Sequence, residues 1–547
     1  MTPRPLRVLR NLNRGREIAS VLLNHGFGDV ASRLGVRRWM FWRRSEGPPL
    51  TFAVRLRLAA EALGPTFIKF GQVVSTRPDL VPAEVTRELA KLREHVPPFS
   101  GEEAIAVVEN SLGQPISALF DDFDPVPIAA GSLGQVHRAR MRDGTPLAVK
   151  VRRPGIVTEI ERDLSLMFEL ARLVERRIPE TQIFDPVGLV RHFARTIRRE
   201  LNFLREGRTM DEFARLLRDE SQLVIPGAFL DQAAENVLVM EYVEGMPVDQ
   251  PELIDASGIY RTDLAALGAR IFMRMVFEFG LFHGDPHPGN LRVLPSGAIC
   301  LYDFGMIGML DKPMRERIVD LFAAVGRRDV PATCGVLLEL GEPFGPVDEG
   351  HLAADVRDFV GTYYGIPLNR IEVGRMLQDF LGILSQHRLR CPGDLVMLVR
   401  AVVSLEGSGR QLDPHFNLAE HLAPFIEATI RRRYDPVNLA DQTAQRIQDL
   451  AGTLERLPFR ADAVLEKLER DDLVVQVNMG NIDRLATELD QSSNRLAIGM
   501  VMSALVVASA LLIRSVPDSH WFAIPIFVLS SLLGLWLIYG IVRSGSV

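Results

Sequence analysis

Three polar side chains that could handle phosphates and a metal ion lie in one short stretch, FHGDPHPGNLRVLPSGAICLYDFG, from Phe282 to Gly305. Asp285 has the chemistry to orient an acceptor hydroxyl or water, or to accept its proton. Asn290 and Asp303, the latter in an Asp-Phe-Gly triplet, offer oxygen ligands of the kind that divalent cations prefer. Their order predicts a phosphoryl-transfer site in which Asp285 is catalytic and Asn290 and Asp303 hold the metal ion.

A lysine on an apolar strand could supply the cation that such a site needs. Lys150 lies in the run LAVKV, where an ammonium group is costly to bury unless an anion meets it. Only five of the 63 basic residues are lysines, so a lysine inside a motif is informative. A downstream acid must hold it, and Glu200 and Glu206 are the candidates. They are six residues apart and do not share one helix face well, so one can meet Lys150 and the other must do something else. We assign Glu206 to Lys150 and expect Glu200 to face another part of the pocket.

Small residues and a strand end complete the predicted nucleotide pocket. The loop AAGSLGQV lies between two β-rich runs, and small residues there let the backbone approach phosphate closely. The loop residues predicted to contact the nucleotide are Ala129, Ala130, Gly131, Ser132 and Gly134. The later run NVLVMEYVEG reads as a strand that ends in a hinge, and its candidate contacts are Glu241 and Val243.

The histidines of the first stretch leave a second interpretation open. His283, Asp285 and His287 alternate along the chain, and a His-x-Asp-x-His arrangement could bind zinc. That interpretation gives no role to Asn290 or to the Asp-Phe-Gly triplet. We favour the alternative that both histidines hydrogen-bond to the backbone of their own loop.

The order of elements predicts an α+β fold: strand, small-residue loop, strand, lysine strand, helix, strand and hinge, then a helical lobe. That is the order of a bilobal protein-kinase-like fold with an N-terminal helical extension. The predicted divisions are an arginine-rich segment (1–50), the helical extension (51–124), a small lobe (125–245), a large lobe with the catalytic and metal-binding loops (246–437), an amphipathic helical connector (438–494) and a transmembrane helical hairpin (495–547).

Two uncharged runs near the C-terminus are the basis for the hairpin. Leu496 to Ile513 has 18 residues and Trp521 to Val542 has 22. At about 1.5 Å per residue, each could cross a hydrocarbon core of about 30 Å, the first only barely, and the alternative is a pair of buried core helices. The arginine-rich remainder favours the cytoplasmic side. We therefore expect a protein of the inner (cytoplasmic) membrane, with the lipid bilayer as a partner.

Composition narrows the function classes. The net charge of −6, with both signs mixed along the 547 residues, gives no signal for a nucleic-acid partner. Cys300, Cys334 and Cys391 are widely separated and match neither a metal-ligand spacing nor a disulfide pattern, which favours a reducing compartment. The sequence also has no flavin, dinucleotide, iron or haem motif.

Several motifs together resemble the UbiB (AarF/ADCK-type) family of atypical kinases over roughly residues 50 to 435. They are KFGQ from Lys69, AAGSLGQVHRA from Ala129, AVKVRRPG from Ala148, ELNFLRE from Glu200, HGDPHPGNL from His283 and DFG from Asp303. The C-terminal hydrophobic pair is similar to that of the bacterial branch. The segment KFGQ is the specific part, because aminoglycoside and choline phosphotransferases carry a loop similar to HGDPHPGN.

The resemblance implies a site and a biological role. It implies binding of ATP (or ADP) with Mg²⁺, and a role in ubiquinone (coenzyme Q) or other prenyl-lipid biosynthesis. Prenyl-lipid or quinone intermediates, and quinone-biosynthesis proteins, would then be partners, and a homodimer is an open expectation. Lys69 and Gln72 would lie over the pocket, Glu200 would border the nucleotide site, and Lys150 and Glu206 would form its ion pair.

Two departures from the family pattern and two other functions stay open. Gly131 stands where the family usually has a third alanine, which leaves the nucleotide preference in doubt. Asn202 replaces the aspartate of a Glu-x-Asp motif and cannot carry its charge. The alternatives are a small-molecule phosphotransferase and a nucleotide-gated, non-catalytic scaffold of a membrane biosynthetic complex.

Overall fold

The structure is a computed structural model that describes residues 4–27, 50–75, 81, 83–92, 96–177, 185–366, 370–433, 499–511, 524–532 and 534. The chain divides into two compact units, Met1–Leu439 and Ala440–Val547, and the elements named below belong to the first. The amphipathic connector predicted for 438–494 lies outside the described residues.

Helices and short strands make up the first unit. The α-helices are α1 (Arg4–Asn24), α2 (Phe52–Leu63), α3 (Pro65–Ser75), α4 (Ala83–Leu89), α5 (Gly101–Leu112), α6 (Ile116–Leu119), α7 (Ile156–Arg177), α8 (Pro186–Glu200), α9 (Phe203–Leu216), α10 (Pro251–Ala256), α11 (Arg261–Met273), α12 (Lys312–Gly326), α13 (Val330–Leu340), α14 (Glu349–Tyr363), α15 (Val373–Gln386), α16 (Gly393–Leu412) and α17 (Leu418–Arg433). The strands are β1 (Asp122–Ala130), β2 (Gly134–Arg140), β3 (Pro146–Arg152), β4 (Leu223–Val224), β5 (Val237–Glu241), β6 (Met246–Pro247), β7 (Leu281–His283), β8 (Leu291–Val293), β9 (Ile299–Leu301), β10 (Ile307–Met309), β11 (Glu342–Pro343) and β12 (Leu389–Arg390).

Helices α1 to α4 pack with α7 and α8 around one apolar cluster. Phe67, Leu164 and Phe193 are among its buried members. A buried ion pair, with Arg14 Nε 3.0 Å from Asp163 Oδ1, ties α1 to α7. These contacts bring α3 and the C-terminal end of α8, which carry Lys69 and Glu200, close to the small lobe.

An antiparallel sheet in the order β1-β2-β3-β5 forms the small lobe. Successive side chains of a strand point to opposite faces, and β3 uses both. Leu147, Val149 and Val151 pack in one apolar cluster with α5. Ala148 belongs to a different cluster, which includes Phe203 of α9, and Lys150 alternates onto the same face. The strand therefore directs its lysine toward α9.

The large lobe is mainly helical. It holds most of the largest apolar cluster among the described residues, the one that also includes Ala148 and Phe203, with Phe282, Phe304 and Phe380 among its large-lobe members. Two small sheets carry the loops of interest: one in the order β4-β9-β8-β6, and a pair formed by β7 and β10. A β-rich lobe followed by a helical lobe is the predicted α+β organisation.

The prediction of a transmembrane hairpin is wrong on the structural finding. Among the residues described, none of the helices combines the length and the apolarity needed to cross a bilayer. The described helical stretches of that region are 499–511 and 524–532. The membrane localisation that we inferred from the hairpin loses its basis for the same reason.

Candidate phosphoryl-transfer site

Lys150 and Glu206 form a nearly buried ion pair, as assigned from the sequence. Lys150 Nζ lies 2.7 Å from Glu206 Oε1 and 2.8 Å from Oε2, and 5.1 Å from the centre of the Phe203 ring. Burial disfavours the charge on Lys150, but the carboxylates of Asp303 and Glu206 outweigh it and raise the Lys150 pKa. Burial raises the pKa of Glu206 to about 7, against the attraction of Lys150. The pair places a fixed cation at the cleft between the lobes, the place where Lys150 of the small lobe faces Asp303 of the large lobe.

Asp303, one of the two predicted metal ligands, lies beside the same lysine. Its Oδ1 lies 3.5 Å from Lys150 Nζ, and its side chain is 54% exposed. The residue has a φ of 52°, a left-handed conformation that aspartate adopts more readily than most residues. The Lys150 ammonium holds the pKa of Asp303 well below its usual range, with a further contribution from Lys69. Asp303 therefore presents an ionised and accessible carboxylate.

The two histidines support the loop backbone, as we favoured from the sequence. His283 is buried; its Nε2 lies 2.8 Å from the Asp303 carbonyl oxygen, and its Nδ1 accepts from the Asp285 N–H at 3.2 Å. His287 Nδ1 accepts from the Gly289 N–H at 2.9 Å. Burial lowers the pKa of His283, so the ring is neutral with its proton on Nε2. Within the described ranges there is also no group of three or more His, Cys, Asp or Glu side chains arranged to hold a metal ion.

Asp285 and Asn290 lie on this supported loop. The Asn290 side-chain amide donates to the Asp285 carbonyl oxygen at 3.1 Å, which fixes the distance between the two residues. Mg²⁺ is commonly bound by one or two protein carboxylates together with substrate phosphates. One carboxylate and one amide from the protein are therefore enough ligands for it. The donor set of Asp303 and Asn290 therefore fits the predicted ion.

Arg400 is a contact of Asp285 that sequence reasoning missed. Its Nη2 donates to Asp285 Oδ2 at 3.1 Å from α16, 115 positions along the chain. The same helix contacts the loop at two more places. Ser408 donates to the Pro286 carbonyl oxygen at 3.3 Å. Gly284 passes so close to the helix that a Cβ there would lie 2.7 Å from Met397 Sδ. An arginine in an arginine-rich chain gives no local signal, so only the fold identifies it.

Lys69 pairs with the other candidate acid. Its Nζ lies 3.0 Å from Glu200 Oε2, whereas Gln72 of the same helix donates to the Leu92 carbonyl oxygen at 3.2 Å. Glu200 ends α8, and Asn202 caps α9 by accepting from the Arg205 N–H at 3.1 Å. Asparagine and aspartate are about equally good N-caps, so this position keeps its capping role without a charge. The separate helices explain why the two acids meet different lysines.

The small-residue loop is held by its own backbone. The Gly131 N–H donates to the Gly134 carbonyl oxygen at 2.8 Å, and Arg153 donates to the Gly131 carbonyl oxygen at 3.4 Å. A Cβ at Gly134 would lie 2.5 Å from the Val151 carbonyl oxygen, so that glycine is required by the approach of β2 to β3. Ala129 and Ala130 are exposed at the end of β1, and Ser132 is buried. The contact of these residues with phosphate stays a prediction.

The hinge candidates have distinct surroundings. The Glu241 carboxylate accepts from the Gly227 N–H at 2.9 Å, so its side chain is engaged within the small lobe. The Val243 carbonyl oxygen accepts a close hydrogen bond from the Tyr302 hydroxyl. Residues 242–245 join β5 of the first sheet to β6 of the second, which makes them the connection between the lobes.

Fold and side-chain arrangement define a protein-kinase-like domain. Models of protein families agree: an "ABC1 atypical kinase-like domain" matches residues 91–335, a "UbiB helical domain" 356–417, and an "ABC1/UbiB kinase-like C-terminal domain" 480–543. The chain belongs to the UbiB family of atypical kinase-like proteins.

Curated relatives support this membership over most of the chain. A "Probable protein kinase UbiB" of Aeromonas salmonicida is 34% identical over 84% of this chain and 86% of its own, and one of Xylella fastidiosa is 31% identical over 96% and 97%. An "Uncharacterized protein sll1770" of Synechocystis is 32% identical over 88% and 83%. A solved structure of Rv3197 with erythromycin, from Mycobacterium tuberculosis, is 24% identical, with a TM-score of 0.47 over 68% of this chain and 91% of its own.

Proposed function

We propose that this protein binds ATP with Mg²⁺ and catalyses phosphoryl transfer or ATP hydrolysis in support of ubiquinone or other prenyl-lipid biosynthesis. The observation that carries the proposal is the meeting of Lys150, Glu206 and Asp303 at one end of the cleft. A lysine held by a helix acid and facing a metal-binding aspartate is the arrangement that orients nucleotide phosphates in kinases. The relatives named as UbiB kinases support the biosynthetic part.

The residues divide the chemistry among them. Asp303 and Asn290 would hold the ion, which when bound neutralises phosphate charge. Lys150 would contact phosphate oxygens, with Glu206 fixing the direction of its side chain. Asp285, whose carboxylate is 17% exposed, would orient an acceptor hydroxyl or water, or accept its proton.

The chain after Asp-Phe-Gly favours a small acceptor or water over a peptide. Only six residues separate Gly305 from α12, and three of them form β10, which pairs with β7. The Met309 N–H is held by Asp394 at 3.3 Å. A segment this short and this firmly paired offers little room for an extended peptide, which supports water or a small acceptor; the choice of a quinone-like or prenyl-lipid acceptor rests on the family resemblance.

The test is Mg²⁺-dependent ATP turnover by the full-length chain, with and without a quinone-precursor analogue, beside Asp303→Asn. The matched control is Asp348→Asn, which changes an exposed helix cap far along the chain. We expect turnover that needs Mg²⁺, that rises with the analogue, and that only Asp303→Asn abolishes. Absence of turnover with all acceptors, while ATP still binds, would contradict catalysis and favour the scaffold alternative. Stoichiometric transfer to a soluble alcohol would instead identify a small-molecule phosphotransferase.

Protein partners of quinone biosynthesis and a homodimer stay predictions. Co-purification with quinone-biosynthesis enzymes and the mass of the purified chain in solution would test them.

A further inference from the structure

Tyr302 lies between β9 and Asp303 and contacts parts of the site that are far apart in sequence. Its hydroxyl donates to the Val243 carbonyl oxygen in the connection between the lobes. Its backbone N–H donates to the Asn290 carbonyl oxygen at 2.9 Å, and its own carbonyl oxygen lies 3.2 Å from His283 Nε2. One residue therefore touches the hinge, a predicted metal ligand and the histidine that supports the catalytic loop.

The side chain is held in place on more than one side. The tyrosine is partly buried, and the Arg292 guanidinium lies 6.0 Å from the ring centre. Arg292 comes from β8, in register opposite Cys300 of β9, the strand that ends one residue before Tyr302.

Tyr302 connects the two places where the ends of a bound nucleotide would lie, the hinge and Asp303. The base of a nucleotide at the hinge and the metal ion at Asp303 would be joined through the phosphates, so the distance between hinge and aspartate must match the ligand. Asp303 follows Tyr302 directly in the chain, and Val243 is bound by the Tyr302 hydroxyl. Movement of the hinge relative to the metal site would have to break that hydrogen bond.

We propose that Tyr302 is a positioning residue that fixes the hinge relative to the metal site, and so selects for ligands that occupy both, a purine nucleoside polyphosphate with its divalent cation. The proposal rests on the proposed function, because it assumes that the cleft binds such a nucleotide. Tyr302 would act through Val243 and Asp303, not through the reacting atoms. A ligand that reaches only the hinge should be indifferent to the tyrosine hydroxyl.

The test compares adenosine with ATP plus Mg²⁺ as ligands of the full-length chain, by calorimetry. The variants are Tyr302→Phe, which removes only the hydroxyl, and Tyr302→Leu, which also removes the ring. Tyr363→Phe is the control, because that hydroxyl donates to Asp379 at 2.6 Å within the large lobe. Thermal unfolding of each variant establishes that the fold is retained.

We expect Tyr302→Phe to weaken Mg-ATP binding by about 3- to 10-fold, in the range of one lost neutral hydrogen bond. Adenosine should change by less than about 2-fold, Tyr302→Leu should show the same selectivity, and Tyr363→Phe should affect neither ligand. Unchanged Mg-ATP affinity in Tyr302→Phe, or an equal loss for adenosine, would overturn the positioning role while wild-type binding upholds the proposed function. Failure of the wild-type chain to bind Mg-ATP would overturn both.

Discussion

The Lys150–Glu206 pair should contribute more to stability than the Lys150–Asp303 contact, and two double-mutant cycles can measure the difference. The first cycle combines Lys150→Met with Glu206→Gln, and the second combines Lys150→Met with Asp303→Asn. Each cycle isolates a pairwise coupling, because the effects of removing each partner alone are subtracted. Measurement at pH 8, above the raised Glu206 pKa of about 7, keeps the Glu206 carboxylate ionised in the wild type.

Distance and exposure set the expected magnitudes. At 2.7 Å and an effective dielectric constant of 20, the Lys150–Glu206 attraction is about 6 kcal/mol. The Glu206 side chain is only 6% exposed, so desolvation offsets much of that attraction, and we expect a net coupling of about 2–3 kcal/mol. The Asp303 side chain is 54% exposed, so water screens its 3.5 Å contact and the coupling should stay below about 1 kcal/mol.

Urea unfolding followed by hydrogen exchange of peptides covering β3 and β5 measures the free energy of opening the small lobe. Lys150→Met should cost less than Glu206→Gln, because the unpaired Glu206 can take up a proton, whereas Lys150 without Glu206 stays charged and keeps only the screened contact with Asp303. Equal couplings in the two cycles, or a Lys150–Glu206 coupling under about 1 kcal/mol, would refute the argument that burial decides which pair matters.

Other expected outcomes follow from particular contacts. Arg400→Gln should lower ATP turnover by about 10- to 100-fold with little change in nucleotide affinity, because Asp285 loses the donor that orients it, and Arg400→Lys should restore part of the rate in steady-state kinetics. Burial lowers the pKa of His137, so the folded lobe binds fewer protons than the unfolded chain at low pH. The melting temperature should therefore fall as the pH drops below about 6.5, and His137→Asn should reduce that fall. Gly134→Ala should destabilise the small lobe by about 1–3 kcal/mol in urea, because its Cβ would meet the β3 backbone, whereas Gly335→Ala, with open space around it in α13, should not destabilise the fold.

Much of the site could be predicted because its chemistry is local in sequence. The loop from His283 to Asn290 and the Asp-Phe-Gly triplet each carry their residues within a few positions, and their support by backbone hydrogen bonds is a short-range property. The pairing of Lys150 with Glu206 was harder, since two acids were available. The deciding feature is Asn202, which begins a new helix, and its capping role was not recognised from the sequence.

Other parts could not be predicted because they depend on distant packing or on length alone. Arg400 reaches Asp285 from another helix, and nothing in its neighbourhood distinguishes it from the other arginines. The close approach of Gly134 to the β3 backbone depends on strand packing and was not indicated by the sequence, and its contact with phosphate stays a prediction. The transmembrane prediction relied on uncharged length alone, whereas no helix among the described residues is long and apolar enough to cross a bilayer.

The charges of the cleft argue that metal ion and nucleotide bind together. Two ammonium groups, Lys69 and Lys150, meet three carboxylates, Glu200, Glu206 and Asp303. Above the Glu206 pKa of about 7, where all three carboxylates are ionised, the cluster has one negative charge in excess. Mg²⁺ alone would compete with two lysines for Asp303, and a nucleotide alone would meet the uncompensated carboxylate. An ion that neutralised the phosphates as well as Asp303 would remove both penalties at once. Nucleotide affinity should therefore fall steeply when Mg²⁺ is chelated, and it should depend less on Mg²⁺ in Asp303→Asn.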